Sequence, residues 1–276
     1  MKQESNRAEN KISLTEAREY LAELVPQAGE ILRRYFANRD FSSRKKEGVD
    51  FTTQADEEVD AFLRKNIKQR YPQTNFLTEE TAPADYSSLK DTRSLWVIDP
   101  LDGTINFSRK HPHFAISVAL VDKRKPQIGV VYIPMTKDLY WAQADQKDAY
   151  FNGEPITVSS TNDLGESVIA CDWAWGLEKR LNVVKWLGNI STHVRQIKSM
   201  GSAVADLASI AGGMIDAYIH SGLKPWDVAA SALLIEKGGG RISTPNGKPW
   251  DVFHPDILAS NGILHDRILN LINRSS

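Results

Sequence analysis

The chain has 276 residues, of which 41% are hydrophobic and 25% charged, and its formal net charge at pH 7 is −1. This length is enough for a substantial core, and the near-neutral charge gives no basis for nucleic-acid or membrane-surface binding, so a small-molecule partner is favoured. The single cysteine, Cys171, excludes an intrachain disulfide, and the polar N-terminus and short apolar runs predict a cytoplasmic protein without a membrane span.

The first part of the chain predicts two helices. Residues 1–11 are polar and are expected to form a disordered tail. The stretch "SLTE" has the pattern of a capping box and begins a helical pattern over residues 13–37, which Pro26 is expected to kink or split. A second helix is predicted from Asp56 to Tyr71, where Pro72 stops it.

Strands follow these helices. "NFLTEE" predicts a short strand that ends in two acids, and "WVIDP" reads as a buried strand. The runs "FAISVALV", "QIGVVYI" and "LYWAQA" predict an antiparallel meander, and Asn152 and Gly153 predict a tight hairpin turn after it.

The second part of the chain alternates differently. Strand patterns such as "ESVIACD", "HVRQI", "IDAYIH" and "DILAS" alternate with helical patterns such as "EKRLNVVKWL", "SAVADLASIAG" and "WDVAASALLIEKGGG". We therefore predict an α+β half over residues 12–156 and an α/β half over residues 157–276, packed closely together as an α/β sandwich.

Five acids fall where predicted strands end or predicted helices begin: Asp50, Glu79, Asp99, Asp102 and Asp227. Each alone is equally well explained as a solvated turn residue or as an acid that complements a helix dipole. The stretch from Trp96 to Phe107 contains no Lys or Arg to pair with its two aspartates, and a buried unpaired carboxylate is costly. Taken together, the acids resemble the oxygen ligands of Mg²⁺.

The acids lie in or beside five stretches with a recognisable pattern: "DFTTQAD", "TEE", "DPLDGTINF", "GSAVADLASIAGGMIDAY" and "KPWDVAASALLIEKGGG". In this order, these stretches resemble the motifs of the inositol monophosphatase family of magnesium-dependent, lithium-sensitive phosphatases. The resemblance implies a layered αβαβα sandwich, a homodimer, and hydrolysis of a small phosphorylated substrate by direct attack of a metal-activated water. No covalent phosphoenzyme is expected.

The resemblance also implies a magnesium site with two ions. The first would be bound by Glu79, Asp99 and the carbonyl of Leu101, and the second by Asp99, Asp102 and Asp227. Two such cations lower the pKa of a water molecule and neutralise the charge that develops on the phosphoryl oxygens.

Further roles are implied for residues around the metals. Asp50 matches the acid that hydrogen-bonds Thr104, and its loop can bring a third Mg²⁺. Glu79 and Thr104 would orient the attacking water, although Thr104 is also explained as a helix N-cap. Asp102, Gly103 and Thr104 would bind the phosphate, because backbone N–H groups at the start of a short helix can face an anion.

Substrate choice is predicted to depend on Gly201, Ala203 and His220. Gly201 and Ala203 match positions that contact the substrate alcohol. His220 lies seven residues before Asp227, where inositol-selective animal members carry a glutamate. A histidine that is charged near neutral pH would favour a more anionic substrate, such as NADP, a nucleotide bisphosphate or fructose 1,6-bisphosphate, and a core role is an equal alternative.

Two functions are therefore kept open. The first is an inositol-1-monophosphatase-like phosphoric monoester hydrolase, and the second is a non-catalytic regulatory protein with a residual pocket. The seven tryptophans are spread through the chain, and most of them are interpreted as core or edge packing rather than as stacking platforms.

Overall fold

The computed structural model describes residues 12–38, 43–45 and 51–274. The predicted tail and Asp50 lie outside these ranges. Within them, no helix is both long enough and apolar enough to span a bilayer.

Helices and strands are numbered here in chain order. The helices are α1 (Leu14–Ala37), α2 (Gln54–Arg70), α3 (Thr104–Ser108), α4 (Leu177–Ile190), α5 (Ala203–Ala211), α6 (Pro225–Lys237) and α7 (His265–Ile272). The strands are β1 (Ser43–Lys45), β2 (Phe51–Thr53), β3 (Asn75–Thr78), β4 (Leu95–Asp102), β5 (Ala115–Asp122), β6 (Lys125–Ile133), β7 (Asp138–Gln143), β8 (Ala149–Phe151), β9 (Glu154–Ile156), β10 (Val168–Cys171), β11 (Gln196–Lys198), β12 (Ala217–Ser221), β13 (Arg241–Ser243) and β14 (Asp256–Ser260).

The larger sheet contains the predicted meander. Its strands lie in the order β3-β4-β5-β6-β7-β8-β9, with antiparallel pairing throughout except for the parallel pair β3 and β4. The turn between β8 and β9 has positive φ at both Asn152 (50°) and Gly153 (90°). Positive φ at both central residues is the conformation of a two-residue type I′ hairpin turn, and Asn-Gly adopts it readily.

The smaller sheet is mixed. Its strands lie in the order β11-β10-β12-β14-β13, in which β10 is parallel to β11 and β12, and β14 is antiparallel to its two neighbours. The parallel strands are joined through α4 and α5, as crossover connections require.

Side chains that alternate along the strands build the layers. On β10, Ala170 packs in the cluster that contains α5 and α6, whereas Ile169 and Cys171 pack against α4 and α7. Helices α5 and α6 therefore lie between the two sheets, and α1 and α2 cover the other face of the larger sheet. The order of layers is αβαβα, which confirms the predicted fold class.

Pro26 does not split the first helix, contrary to one of the two expected outcomes. Helix α1 continues from Leu14 to Ala37 with Pro26 inside it. The proline removes one helical hydrogen bond. Buried side chains on both sides of it, including Leu21, Val25 and Ala28, hold the helix against the larger sheet.

Candidate active site

An irregular strand end brings two of the predicted acids to one pocket. Asp99 and Asp102 are three positions apart, so a regular strand would direct their side chains to opposite faces. The register of β4 against β5 shifts between these two residues, and both line the same pocket of about 890 Å³. Asp99 is buried, and its Oδ1 accepts a hydrogen bond from the N–H of Leu101 at 3.0 Å.

The other two acids reach this pocket from neighbouring elements. Glu79 follows β3, which pairs with β4, and its N–H donates to the carbonyl of Ile98 at 3.2 Å. Asp227 lies in the first turn of α6, where its Oδ2 accepts a hydrogen bond from the N–H of Lys224 at 2.7 Å. The structure thus brings Glu79, Asp99, Asp102 and Asp227 together around one pocket.

Asp102 also links the pocket to α5. Its Oδ2 accepts hydrogen bonds from the N–H of Val204 at 2.8 Å and from the hydroxyl of Ser202. These donors lie at the start of α5, where four N–H groups lack partners within the helix. Asp102 is therefore held both by its own strand, β4, and by the start of α5.

The acids are electrostatically unfavourable neighbours. Burial raises the pKa of Asp99 well above its usual value, and Glu79, Asp102 and Asp227 raise it further. Burial likewise raises the pKa of Asp227 well above the usual range and the pKa of Asp102 to about 7. The carboxylate forms are costly here unless positive charge is supplied.

The chemistry of the donors fits a hard divalent cation. In the described part of the chain, no three His, Cys, Asp or Glu side chains converge closely enough to hold a metal ion as they stand. The four acids nevertheless offer only oxygen atoms, which are the ligands that Mg²⁺ prefers. A cation between them would offset the mutual repulsion of these acids, which adds to the effect of burial on the pKa values of Asp99 and Asp227. Leu101, whose backbone carbonyl is predicted to bind the first metal, also lines the pocket.

Gly103 is required by its surroundings. Its φ of +93° is unfavourable for a residue with a side chain, and an added Cβ would lie 3.1 Å from the carbonyl oxygens of both Gly201 and His113. Gly103 and Thr104 line the pocket beside the acids. Their predicted contact with phosphate stays a prediction.

Asp56, predicted only as the first residue of the second helix, also lies at the candidate site. The Thr104 hydroxyl lies 3.4 Å from Asp56 Oδ1 and 3.1 Å from the carbonyl of Leu101. Asp56 is itself held by Thr53, whose N–H and hydroxyl both donate to its Oδ2. Among the described residues, Asp56 is thus an acid in contact with Thr104. Asp50, to which that role was assigned, lies outside the described residues, and its role stays a prediction.

Asp56 predicts a pH dependence of stability. Burial raises its pKa from 3.8 to about 7, with Glu80 and Glu79 adding to the rise. Between about pH 4 and pH 7 the folded protein therefore keeps a proton that the unfolded chain has lost, so this stabilisation is complete at low pH and lost as pH rises through 7. We expect the Tm of the metal-free protein to fall over this range and Asp56→Asn to reduce the slope.

Calorimetry of the two proteins in chelator at a series of pH values measures this effect. The exposed Asp266, which pairs with Arg241, supplies the control Asp266→Asn. A slope that Asp56→Asn leaves as steep as in the control would contradict the assignment of this proton to Asp56.

The predicted substrate residues line the same pocket. They are Gly201, Ala203 and His220. His220 lies on β12 and is 5% exposed, and its Nδ1 has no hydrogen-bond partner within the described ranges. Burial lowers the pKa of His220 to about 4, so the imidazole is neutral near pH 7. A charged His220 was one of two alternatives, and this burial favours the other, a role in the core.

Two tryptophans do not share the packing role expected for most of the seven. Trp173 and Trp175 are each 50% exposed and line the pocket, so they are not core or edge packing. They lie in the loop between β10 and α4. No local pattern distinguishes them from the buried tryptophans, because their exposure depends on how this loop meets the other layers.

Comparisons with known proteins agree with this architecture. The sequence model of the inositol monophosphatase family matches residues 13–276. Inositol monophosphatase 3 of Solanum lycopersicum is 32% identical over 255 residues, which cover 91% of this chain and 94% of that protein. The fructose-1,6-bisphosphatase/inositol-1-monophosphatase of Thermotoga maritima is 29% identical over 255 residues, which cover 92% and 95%.

A solved structure extends the similarity to three dimensions. The extragenic suppressor protein suhB from Bartonella henselae superposes with a TM-score of 0.86 at 28% identity, over 96% of this chain and all of that one. The layered fold with its acidic pocket is that of a class of hydrolases, the phosphatases. Within that class, the chain belongs to the inositol monophosphatase family.

Proposed function

We propose that the protein is a magnesium-dependent phosphomonoesterase, similar to inositol-1-monophosphatase, that hydrolyses a small phosphorylated alcohol. The gathering of Glu79, Asp99, Asp102 and Asp227 around one pocket carries this proposal. Burial raises the pKa values of Asp99, Asp102 and Asp227, so their charged forms are unfavourable for folding and useful for binding cations. Bound Mg²⁺ would supply Lewis-acid chemistry by withdrawing charge from the phosphoryl oxygens and from water.

The residues of the chain position the reaction. Glu79 and Thr104 would hold the attacking water. The Thr104 hydroxyl can donate its hydrogen bond to Asp56 Oδ1 or to the Leu101 carbonyl, which leaves a Thr104 lone pair for that water. A bond forms from the water oxygen to phosphorus as the bond from phosphorus to the ester oxygen breaks. A Glu79 carboxylate oxygen takes the proton of the water, and the leaving alkoxide takes a proton from solvent.

The alcohol portion of the substrate is a separate question. The Thermotoga relative is named for both fructose 1,6-bisphosphate and inositol 1-phosphate. In this chain the buried neutral His220 stands where the resemblance places a glutamate in inositol-selective proteins. Sugar, nucleotide or NADP phosphates are therefore tested beside inositol 1-phosphate. The homodimer, the cytoplasmic location and the sensitivity to lithium stay predictions.

Asp102→Asn tests the proposed function. We expect the wild-type protein to release phosphate with Mg²⁺ and to stop in chelator, and we expect the variant to lose at least about a hundredfold in kcat while it remains folded. Asparagine keeps an oxygen that can accept from Val204 but has no charge. Phosphate release and circular dichroism measure the two effects, with Asp266→Asn as a surface control. Equal turnover in the two variants, or activity that persists in chelator, would exclude the proposed mechanism.

A further inference from the structure

The peptide unit between Met200 and Gly201 is hydrogen-bonded by side chains at both of its polar atoms. Its carbonyl accepts a hydrogen bond from Nδ2 of Asn106 at 2.7 Å, and its N–H donates to Oδ1 of Asp172 at 2.9 Å. A peptide unit is planar, so two hydrogen bonds at opposite polar atoms fix its orientation. Because Gly201 lines the pocket, the same two bonds fix how its backbone faces a ligand.

Asn106 joins two segments that are distant in the sequence. It lies in α3, and its Nδ2 also donates to the carbonyl of His113 at 2.7 Å. An amide NH₂ group has two hydrogens, and here backbone carbonyls accept both. One carbonyl belongs to the segment that leads into β5, and the other belongs to the segment that leads into α5. Asn106 therefore connects the motif after β4 to the start of α5.

The contact between Asn106 and this peptide unit is tight. Gly201 has a φ of +83°, and an added Cβ there would lie 2.9 Å from Nδ2 of Asn106. The carbonyl oxygen of Gly201 lies 3.1 Å from the position that a Cβ of Gly103 would take. Removal of the Asn106 amide would leave a gap into which the peptide unit can move, and would leave its carbonyl without this donor.

Asp172 holds the other side of the peptide unit. It follows β10 in the smaller sheet, and its Oδ1 also accepts a hydrogen bond from the hydroxyl of Ser199 at 3.1 Å. Its Oδ2 accepts from the hydroxyl of Tyr218, on β12, at 3.2 Å. These bonds anchor the carboxylate, so the peptide unit is held from the larger sheet through α3 and from the smaller sheet through Asp172.

The metal-binding acids have separate supports. Asp102 accepts its hydrogen bonds from the first residues of α5, beyond this peptide unit. Asp99 and Asp227 accept hydrogen bonds from N–H groups of their own segments. Loss of a bond to the peptide unit is therefore expected to displace Gly201 and to leave these acids in place.

We propose that Asn106 and Asp172 are positioning residues, which orient the peptide unit between Met200 and Gly201 so that Gly201 aligns the leaving alcohol of the substrate with the phosphate at the acids. This role rests on the phosphomonoesterase function proposed above, but not on the identity of the alcohol. Neither side chain takes part in bond making or bond breaking. Alignment of this kind lowers the barrier because the leaving oxygen must lie opposite the attacking water.

The dependence of the rate on the leaving group tests this role. Asn106→Ala and Asp172→Ala are compared with the wild-type protein on inositol 1-phosphate, glycerol 2-phosphate and p-nitrophenyl phosphate, all with Mg²⁺. The p-nitrophenolate ion is weakly basic and has no aliphatic hydroxyl groups, so its departure depends little on placement at Gly201. We expect each variant to lower kcat/KM roughly thirtyfold for the alkyl phosphates and less than about threefold for p-nitrophenyl phosphate.

Two further variants separate positioning from stability. Asp172→Asn keeps an oxygen that can accept from the N–H of Gly201, and it is expected to restore kcat/KM to within about threefold of wild type. Asn273 supplies a matched control. Its Nδ2 also donates to two backbone carbonyls, those of Pro245 at 2.7 Å and Leu269 at 2.9 Å, and these three residues do not line the pocket. Asn273→Ala is expected to lower the Tm and to leave the ratio of kcat/KM values for the two kinds of substrate unchanged.

A binding measurement avoids turnover. Inorganic phosphate has the charge of the reacting group but no alcohol. We expect titration calorimetry to show that Asn106→Ala changes the affinity for Mg²⁺, and for inorganic phosphate in the presence of Mg²⁺, by less than about twofold. A tenfold loss of either affinity would show that the substitution acts on the acids, which would overturn the positioning role.

The kinetic outcomes distinguish the two proposals. If the wild-type protein releases phosphate but Asn106→Ala and Asp172→Ala affect alkyl and p-nitrophenyl phosphates equally, the positioning role is wrong while the phosphomonoesterase function stands. If the wild-type protein cleaves no phosphate ester with Mg²⁺, the proposed function fails and the positioning role fails with it. If Asn106→Ala does not fold, Asp172→Ala decides the matter from the other side of the same peptide unit.

Discussion

Asp99→Asn is expected to abolish phosphatase activity, by at least about a thousandfold in kcat, and to raise the Tm of the metal-free protein. Asp99 is buried at the end of β4, and its pKa is raised by burial and by three neighbouring acids. Without cations its charge opposes folding, so a neutral amide relieves repulsion. When cations are bound, the carboxylate charge of Asp99 holds them. The bound cations then contribute several kcal/mol of transition-state stabilisation.

Phosphate release and calorimetry in chelator measure these opposite effects on the same variant. Asp60 supplies a matched control, since it is also a buried carboxylate but its Oδ2 pairs with Nε of Arg64 at 2.7 Å, away from the pocket. Asp60→Asn is expected to lower the Tm and to leave kcat unchanged. A lower Tm for Asp99→Asn in chelator would show that the acids do not repel one another as described.

Local sequence patterns predicted the fold well because its elements are regular. The period-two runs from Ala115 to Gln143 became the antiparallel strands, and Asn152 with Gly153 formed the expected turn. Each of these patterns depends on neighbours along the chain. The effect of Pro26 was less predictable, because packing of α1 on the larger sheet outweighs the lost hydrogen bond.

The candidate site was predictable where a motif carries it. Asp99 and Asp102 share one motif, and the structure brings them together with Glu79 and Asp227. The contact between Asp56 and Thr104 joins residues 48 positions apart, and no spacing rule connects them. The exposure of Trp173 and the neutrality of His220 depend on burial by other layers, which a single sequence does not reveal.

Gly129→Ala is expected to destabilise the protein by about 3 kcal/mol and to lower its activity by displacing α6. Gly129 lies in the middle of β6, and an added Cβ would lie 2.5 Å from the carbonyl oxygen of Ala230 and 2.9 Å from its Cα. Both atoms belong to the backbone of α6, so a side-chain rotation cannot relieve the overlap. The helix must move, and it carries Asp227 at its start. Urea unfolding measures the stability.

A second glycine separates this overlap from the general effect of adding a methyl group. Gly188 lies in α4, and a Cβ there would meet no atom within 4 Å. Gly188→Ala is therefore expected to stabilise the protein by about 0.5–1 kcal/mol, because alanine favours helix and restricts the unfolded chain. If Gly129→Ala were as stable as wild type, α6 would not lie directly on β6. Displacing a catalytic group by about 1 Å costs about a hundredfold in rate. If Gly129→Ala were destabilised but its folded fraction kept the wild-type kcat, the packing of α6 on β6 would determine stability without fixing the position of Asp227.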